Sequence, residues 1–213
     1  MARLRIADLH VAYGSTPVLH GVSLDVDAGR AVALVGPNGA GKTSLLRAVA
    51  GLLGLHGGRV TGGAVEMSGT GRVGFVLAGR RLFHDLTVEE NLRVGGHRVR
   101  GRAAVGPRIG WVLDRFPLLA ARRDVRAGYL SGGEQQLLAI ATALVPAPGV
   151  LLLDEPAIGL ADAAVALVAD VAAEPLAAGT AVLVAEQEPQ LALALGTPVV
   201  HLAQGRMAVP ARA

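Results

Sequence analysis

One lysine, one threonine and two adjacent carboxylates supply the side chains that phosphate chemistry needs. The run Gly36-Pro37-Asn38-Gly39-Ala40-Gly41-Lys42-Thr43-Ser44 matches the glycine-rich phosphate loop at every fixed position, with an apolar run before it and a helical pattern after it. Glycines let such a loop close on a phosphate, so that its N–H groups and the positive end of the next helix face the oxygens. Lys42 is placed to reach the β- and γ-phosphates, and Thr43 to hold Mg²⁺. Lys42 is also the only lysine among 20 basic residues, the rest being arginine. A compact ammonium appears only where a point charge is needed. The loop by itself leaves the reaction open among kinases, GTPases and ATPases.

The second group is Val150-Leu-Leu-Leu-Asp154-Glu155, an apolar strand ending in two acids. Such a strand brings Asp154 to the edge of a sheet as a Mg²⁺ partner opposite the loop, and sets Glu155 to polarise a water. Taken alone, the same pattern describes a turn with solvated acids. The third is Leu130-Ser131-Gly132-Gly133-Glu134-Gln135-Gln136. A serine and two glycines ahead of a helix expected to begin near Glu134 form an anion site of backbone donors, a hydroxyl and a helix terminus.

Together these residues resemble the ATPase subunits of the ABC transporter family, over nearly the whole chain. The resemblance implies ATP and Mg²⁺ as ligands, with Gly36 to Ser44 and Ser131 to Glu134 binding nucleotide and Thr43 and Asp154 binding the metal. Lys42, Glu155 and Gln187 are then the catalytic group. It also implies that Tyr13 stacks on adenine, the alternative being a strand-end ring packed on the core, and that Gly159-Leu160-Ala161-Asp162 crosses a dimer interface. Phe83-His-Asp-Leu-Thr-Val-Glu-Glu-Asn-Leu92, Phe116-Pro117 and Ala185-Glu-Gln187 are similar to the branched-chain amino-acid importer subgroup. That likeness implies a second ABC ATPase subunit, the same or different, as partner. It further implies transmembrane permease subunits, an external solute-binding protein acting through them, and a place on the cytoplasmic face of the cell membrane. The permease is expected to dock near Arg80 to Asn91.

The sequence departs from that subgroup at several points. Val76-Leu77-Ala78-Gly79-Arg80 stands where the subgroup reads Val-Pro-Glu-Gly-Arg, so a methyl replaces a polar side chain. Gln187 stands where most of the family has a histidine, although glutamine is usual in the subgroup. Thr142 replaces a common arginine and Asp162 a common proline. Two rival readings follow: a regulatory subunit that binds ATP with little or no turnover, and a soluble ABC ATPase that does not serve transport.

Positioning these groups requires an α/β fold. Leu4 to Val11 and Val22 to Val26 alternate with period two, and Ala31 to Val35 is apolar throughout, so strands lead into the loop and a helix follows over Lys42 to Ala50. Glycine-rich Gly51 to Gly74 favours short strands and tight turns. Thr87-Val-Glu-Glu starts a helix with a capping box and Pro107 to Phe116 suggests another, which defines a helical insert. From Val150 the strand–helix alternation resumes through Ala161–Ala173, Ala181–Ala185, Pro189–Ala194 and Val199–Ala203. The expectation is a single nucleotide-binding domain over 1–213: a P-loop NTPase core (1–84 and 145–213) with an N-terminal antiparallel β part and an inserted helical subdomain (85–144).

A chain of 213 residues suits one such domain. The longest apolar stretch, Leu137 to Leu153, is broken by Pro146, Pro148 and Gly149, and the chain start lacks the apolar core of a secretory signal. No cysteine is present, which excludes disulfides and thiolate metal sites. Eleven arginines lie between Arg80 and Arg126, with few aromatics among them. They are expected to form a solvated or partner-facing surface, with anionic lipid headgroups or nucleic acid as the lesser alternatives, and the favoured reading has no nucleic-acid partner.

Overall fold

In chain order the computed structural model contains β1 (Arg3–Tyr13), β2 (Thr16–Val26), β3 (Ala31–Val35), α1 (Lys42–Val49), β4 (Gly58–Ser68), β5 (Val73–Val76), α2 (Val88–Gly95) and α3 (Arg102–Arg115). There follow α4 (Pro117–Ala120), α5 (Gly132–Leu144), β6 (Val150–Asp154), α6 (Asp162–Ala177), β7 (Ala181–Glu186), α7 (Gln190–Leu195), β8 (Val199–Ala203) and β9 (Arg206–Ala208). The described residues are 3–69, 72–79, 81–99 and 102–208. Met1 at the chain start and Arg80 and Arg100 of the arginine-rich stretch lie outside them.

The strands form two sheets. The first is antiparallel, in the order β2-β1-β4; the second runs β5-β6-β7-β3-β8-β9 and is parallel except for β9. Strands of the second sheet are apolar on both faces because both faces are covered. Leu151 and Leu153 of β6, Val182 and Val184 of β7 and Val35 of β3 point toward α5, α6 and α7, joining Leu137, Val168 and Leu191. The intervening Leu152, Leu183 and Leu34 point the other way, onto Leu45 and Leu46 of α1 and onto Leu4, Ile6 and Val11 of the antiparallel sheet. All parallel strands end on one edge of this sheet, and β3 lies between β7 and β8, so the order reverses beside the loop that follows it.

Helices α2 to α5 stand between β5 and β6 in sequence. Their interior, with Val88, Leu92, Val112, Phe116, Leu119 and Leu138, is continuous with the core under the parallel sheet. One clasp joins α3 to α6. Trp111 donates its indole N–H to Glu174 at 2.7 Å, the guanidinium carbons of Arg108 and Arg115 lie 4.4 and 4.2 Å from its ring centroid, and Arg115 also pairs with Glu174.

Some element boundaries differ from expectation. Strand β2 begins at Thr16, six residues before the expected Val22, because its first half also pairs with β1. The glycine-rich stretch forms a 3-10 turn and then a single 11-residue strand, β4, because pairing along the whole of β1 outweighs the weak local preference of its glycines. Helix α3 begins at Arg102 and carries Pro107 inside it, at the cost of one ladder bond. Helix α6 spans Asp162–Ala177, as the alanine-rich 161–178 segment implies, with Pro175 inside. Helix α5 starts at Gly132 rather than near Glu134, because Ser131 and Glu134 close a capping box across its two glycines.

Candidate functional site

The phosphate loop follows β3 and turns into α1. Gly41 holds φ 107° as the helix N-cap, and no side chain caps the first turn, so its leading N–H groups point outward toward the loop. Gly36 is required by close approach: a Cβ there would come within 2.1 Å of the Leu202 carbonyl oxygen on β8. Ala40 is buried, its N–H bonding to Pro37 O and its carbonyl accepting from Gly205 N. Lys42 is only 5% exposed; its ammonium donates to Gly36 O at 2.7 Å and Pro37 O at 3.3 Å, and lies 3.2 Å from Glu155 Oε1. A buried ammonium needs partners of this kind, and phosphate oxygens are of the same kind. Pro37, Asn38 and Gly39 are exposed at the loop tip, and Ser44 is half-buried in the first turn of α1.

Thr43 and Asp154 face each other across the loop and β6. The threonine hydroxyl donates to the Asp154 carboxylate, 2.9 and 3.1 Å from its two oxygens. Asp154 is fully buried; burial pushes its carboxyl up, the Thr43 hydrogen bond opposes that, and the charge of Glu155 adds to it. A hydroxyl beside a buried carboxylate is a hard-oxygen pair that suits Mg²⁺, which takes one or two protein oxygens and completes its shell with phosphate and water. A divalent cation would also relieve the cost of ionising a carboxyl in that environment.

Glu155 departs from strand geometry, with φ 52°. Its N–H bonds to Ala185 O at 2.8 Å, and the turn sends its side chain back over the loop, where Oε2 accepts from Gln187 N at 3.1 Å while Oε1 meets Lys42. A left-handed backbone at a non-glycine residue is strain held by its surroundings, and such strain clusters at active sites. Gln187 is exposed and borders, with Glu155, Gly159 and Leu160, a cavity of about 300 Å³.

Glu186 is a further acid that the sequence reading passed over. It is 1% exposed and accepts from the N–H groups of Leu191 and Ala192, both at 3.1 Å, while its carbonyl receives the N–H of Gly36. Burial pushes its carboxyl up, and those two N–H groups oppose the shift. The available signal was that Ala181–Glu186 repeats the β6 pattern, an apolar strand delivering an acid to the same edge.

Ser131, Gly132, Gly133 and Glu134 lie at the start of α5, and among the described residues no hydrogen bond or ion pair joins them to the phosphate loop. They border the loop after β6 instead: a Cβ on Gly133 would lie 3.6 Å from Gly159 O, and Gln136, 4% exposed, donates to Pro156 O at 3.0 Å. Tyr13 ends β1 with its ring against Gly58, where a Cβ would come within 2.8 Å of it, and its hydroxyl is buried with no hydrogen-bond partner. Ala78 follows β5; its backbone N–H helps to hold the Asp154 carboxyl down against the effect of burial, and the residue borders a recess shared with Glu155. A groove of about 880 Å³ between α2 and α3 has none of these site residues in its lining.

The ABC transporter family model matches residues 19–158. A high-affinity branched-chain amino acid transport ATP-binding protein of Pseudomonas aeruginosa is 37% identical over 207 residues, covering 92% of this chain and 86% of that protein. A Fe(3+) ions import ATP-binding protein of Streptomyces coelicolor is 40% identical over 207 residues, covering 93% of this chain and 58% of the relative. Among solved structures, the ATP binding subunit of an ABC transporter superposes with a TM-score of 0.83 at 27% identity, covering 97% of this chain and 88% of that one. No helix among the described residues is long and apolar enough to cross a membrane. With a phosphate loop, a Lys–Glu pair and a Thr–Asp pair converging on one sheet edge, the chain belongs to the ABC transporter family, as one of its ATP-binding ATPase subunits.

Proposed function

We propose that this subunit powers an importer of small solutes, with branched-chain amino acids as the cargo class, and that it works beneath permease subunits on the cytoplasmic face of the membrane. The cargo reading is supported by the Pseudomonas relative; the iron relative makes it the part to test. Residues 1–84 and 145–213 form the catalytic core in this reading, and 85–144 the helical subdomain. The observation that carries the hydrolytic role is the convergence of Lys42 and Glu155, 3.2 Å apart over the phosphate loop, beside the Thr43–Asp154 pair.

When nucleotide enters, the Lys42 ammonium exchanges Gly36 O and Pro37 O for β- and γ-phosphate oxygens. Mg²⁺ held by Thr43 and Asp154 would neutralise charge on those oxygens. Glu155 orients a water in line with the γ-phosphorus. The water oxygen bonds to phosphorus, the β,γ-bridging oxygen leaves with the bonding pair, and a water proton passes to the carboxylate. Gln187 steadies Glu155 through its backbone N–H and offers an amide to the γ-phosphate. Ser131 to Glu134, which make no hydrogen bond or ion pair with their own loop among the described residues, serve the nucleotide of a second ATPase subunit, the same or different, so two subunits close on two ATP molecules. Tyr13 is partly buried on the core with its ring against Gly58, and in this reading it offers what remains of its aromatic face to adenine.

In this reading the subunit has no nucleic-acid partner, and several arginines of the stretch are paired within the fold. Arg93 and Arg123 are engaged by Glu89, Arg115 by Glu174, Arg122 by Glu134, and Arg108 by the carbonyls of Leu144 and Val145.

The deciding measurement is steady-state ATP hydrolysis with Mg²⁺ for the chain and for Glu155→Gln, alongside binding of a fluorescent ATP analogue. Equal binding with a loss of about 10²-fold or more in turnover is expected for the variant. Equal binding with no turnover by either protein would support a nucleotide-binding regulatory subunit instead. Stimulation of turnover by branched-chain amino acids, with permease and solute-binding protein reconstituted, tests the cargo.

A further inference from the structure

The recess in front of Glu155 holds about 250 Å³ and is bordered by Ala78, His84, Gln135, Gln136 and Ile158. That is room for several waters, each taking about 30 Å³ of liquid. Three of these side chains are polar, and two are already committed. The Gln136 amide donates to Pro156 O at 3.0 Å, and the Gln135 amide donates to Ala127 O and Leu130 O at 3.1 and 3.2 Å. The imidazole of His84 makes no hydrogen bond or ion pair among the described residues.

His84 nevertheless stands on a fixed backbone. Its carbonyl accepts from Gly128 N at 2.9 Å, in the turn that leads to Ser131. Next to it, Phe83 is clamped by the buried Asn91, whose Oδ1 accepts from Phe83 N at 2.9 Å and whose Nδ2 donates to Phe83 O at 3.0 Å. His84 is exposed, and its uncommitted ring stands on a clamped backbone and borders the same space as the carboxylate that needs an oriented water, so it is free to turn to that water.

We propose that His84 is a positioning residue for hydrolysis, holding the attacking water against Glu155 by a hydrogen bond across the recess. Ala78, which borders the same recess, has no side-chain polar atom with which to do so. His84 takes no proton: one water proton goes to Glu155 and the other stays hydrogen-bonded to the ring. The proposal rests on the hydrolytic reading above.

The test is steady-state ATP hydrolysis by the full chain and its His84→Ala, His84→Gln, Ala78→Gln and Ala78→Gln/His84→Ala variants, with Glu155→Gln as the blank and analogue binding as the check on folding. His84→Ala should lower kcat about tenfold or more with KM nearly unchanged, the pattern of an interaction made in the transition state. His84→Gln should keep most of the rate, and an amide at position 78 should make His84 dispensable, so the double variant should recover. Unchanged kcat in His84→Ala, in a parent that turns over, overturns this proposal alone. So does the same loss with and without the amide at 78. A parent no faster than Glu155→Gln overturns the hydrolytic reading and this one together.

Discussion

The Thr43–Asp154 contact is the tightest test of the site at the residue scale. Thr43→Val keeps the shape of the side chain and removes the one hydroxyl that reaches a fully buried carboxylate. The nucleotide-free protein should lose about 1–2 kcal/mol in urea unfolding, and the Mg²⁺ concentration for half-maximal turnover should rise while analogue binding without Mg²⁺ stays the same. Unchanged Mg²⁺ dependence would remove Thr43 from the metal site. Residues of this sort were legible in the sequence because their types are rare in their settings: a lone lysine after glycines, and two acids after four apolar residues. What the residue types leave open is how each is held. Glu155 reaches Lys42 through a left-handed backbone, and Gln187 meets Glu155 through its main chain rather than its amide. Glu186 was missed because a single acid after a strand also describes an ordinary solvated turn, and only the fold shows it buried under α7.

At the scale of elements, side chains at two helix starts set much of the geometry. Thr87 with Glu90 and Ser131 with Glu134 both complete capping boxes. The first was legible as Thr-Val-Glu-Glu. The second has the same spacing, but two glycines inside it argue for a loop, and the reciprocal bonds of Ser131 and Glu134 decide the matter in favour of helix. Holding the motif through Ser131 N to Glu134 also pulls the Glu134 carboxyl below its usual range. Helix α2 packs on α5 so closely that a Cβ at Gly95 would sit 2.5 Å from Thr142 O. The small Thr142, which departs from the related subgroup, belongs to this contact, and its hydroxyl turns inward to Leu138 O at 2.7 Å. Gly95→Ala should therefore destabilise the protein by about 1–3 kcal/mol, read as a lower denaturation midpoint. An unchanged midpoint would show that α2 can shift freely on α5.

Across the whole molecule, the parallel sheet was legible, because doubly covered strands must be apolar throughout; its strand order, with the reversal beside β3, came only from the fold. The clasps between helices were not, because charge pairing over long sequence distances leaves no local pattern. Glu89 on α2 holds Arg93 one turn on and Arg123 beyond α4; hydrogen bonds from Arg123 first and Arg93 second hold its carboxyl down to about 2. A depressed acid adds stability that is present above its unfolded value, near 4.5, and lost as pH falls toward the folded one. Glu89→Gln should thus cost up to about 1 kcal/mol at neutral pH, the range for partly exposed pairs, and the gap from the parent should close between pH 4.5 and about 2 in unfolding curves. The Trp111 clasp has a different consequence. Trp111 is the chain's only tryptophan, and it lies on the seam between α3 and α6 with its indole N–H held by Glu174. The protein thus carries its own optical gauge of that seam. Any motion that swings α3 away from α6 on nucleotide binding exposes the indole to water and moves its emission to longer wavelength, with no second fluorophore of its kind to blur the signal.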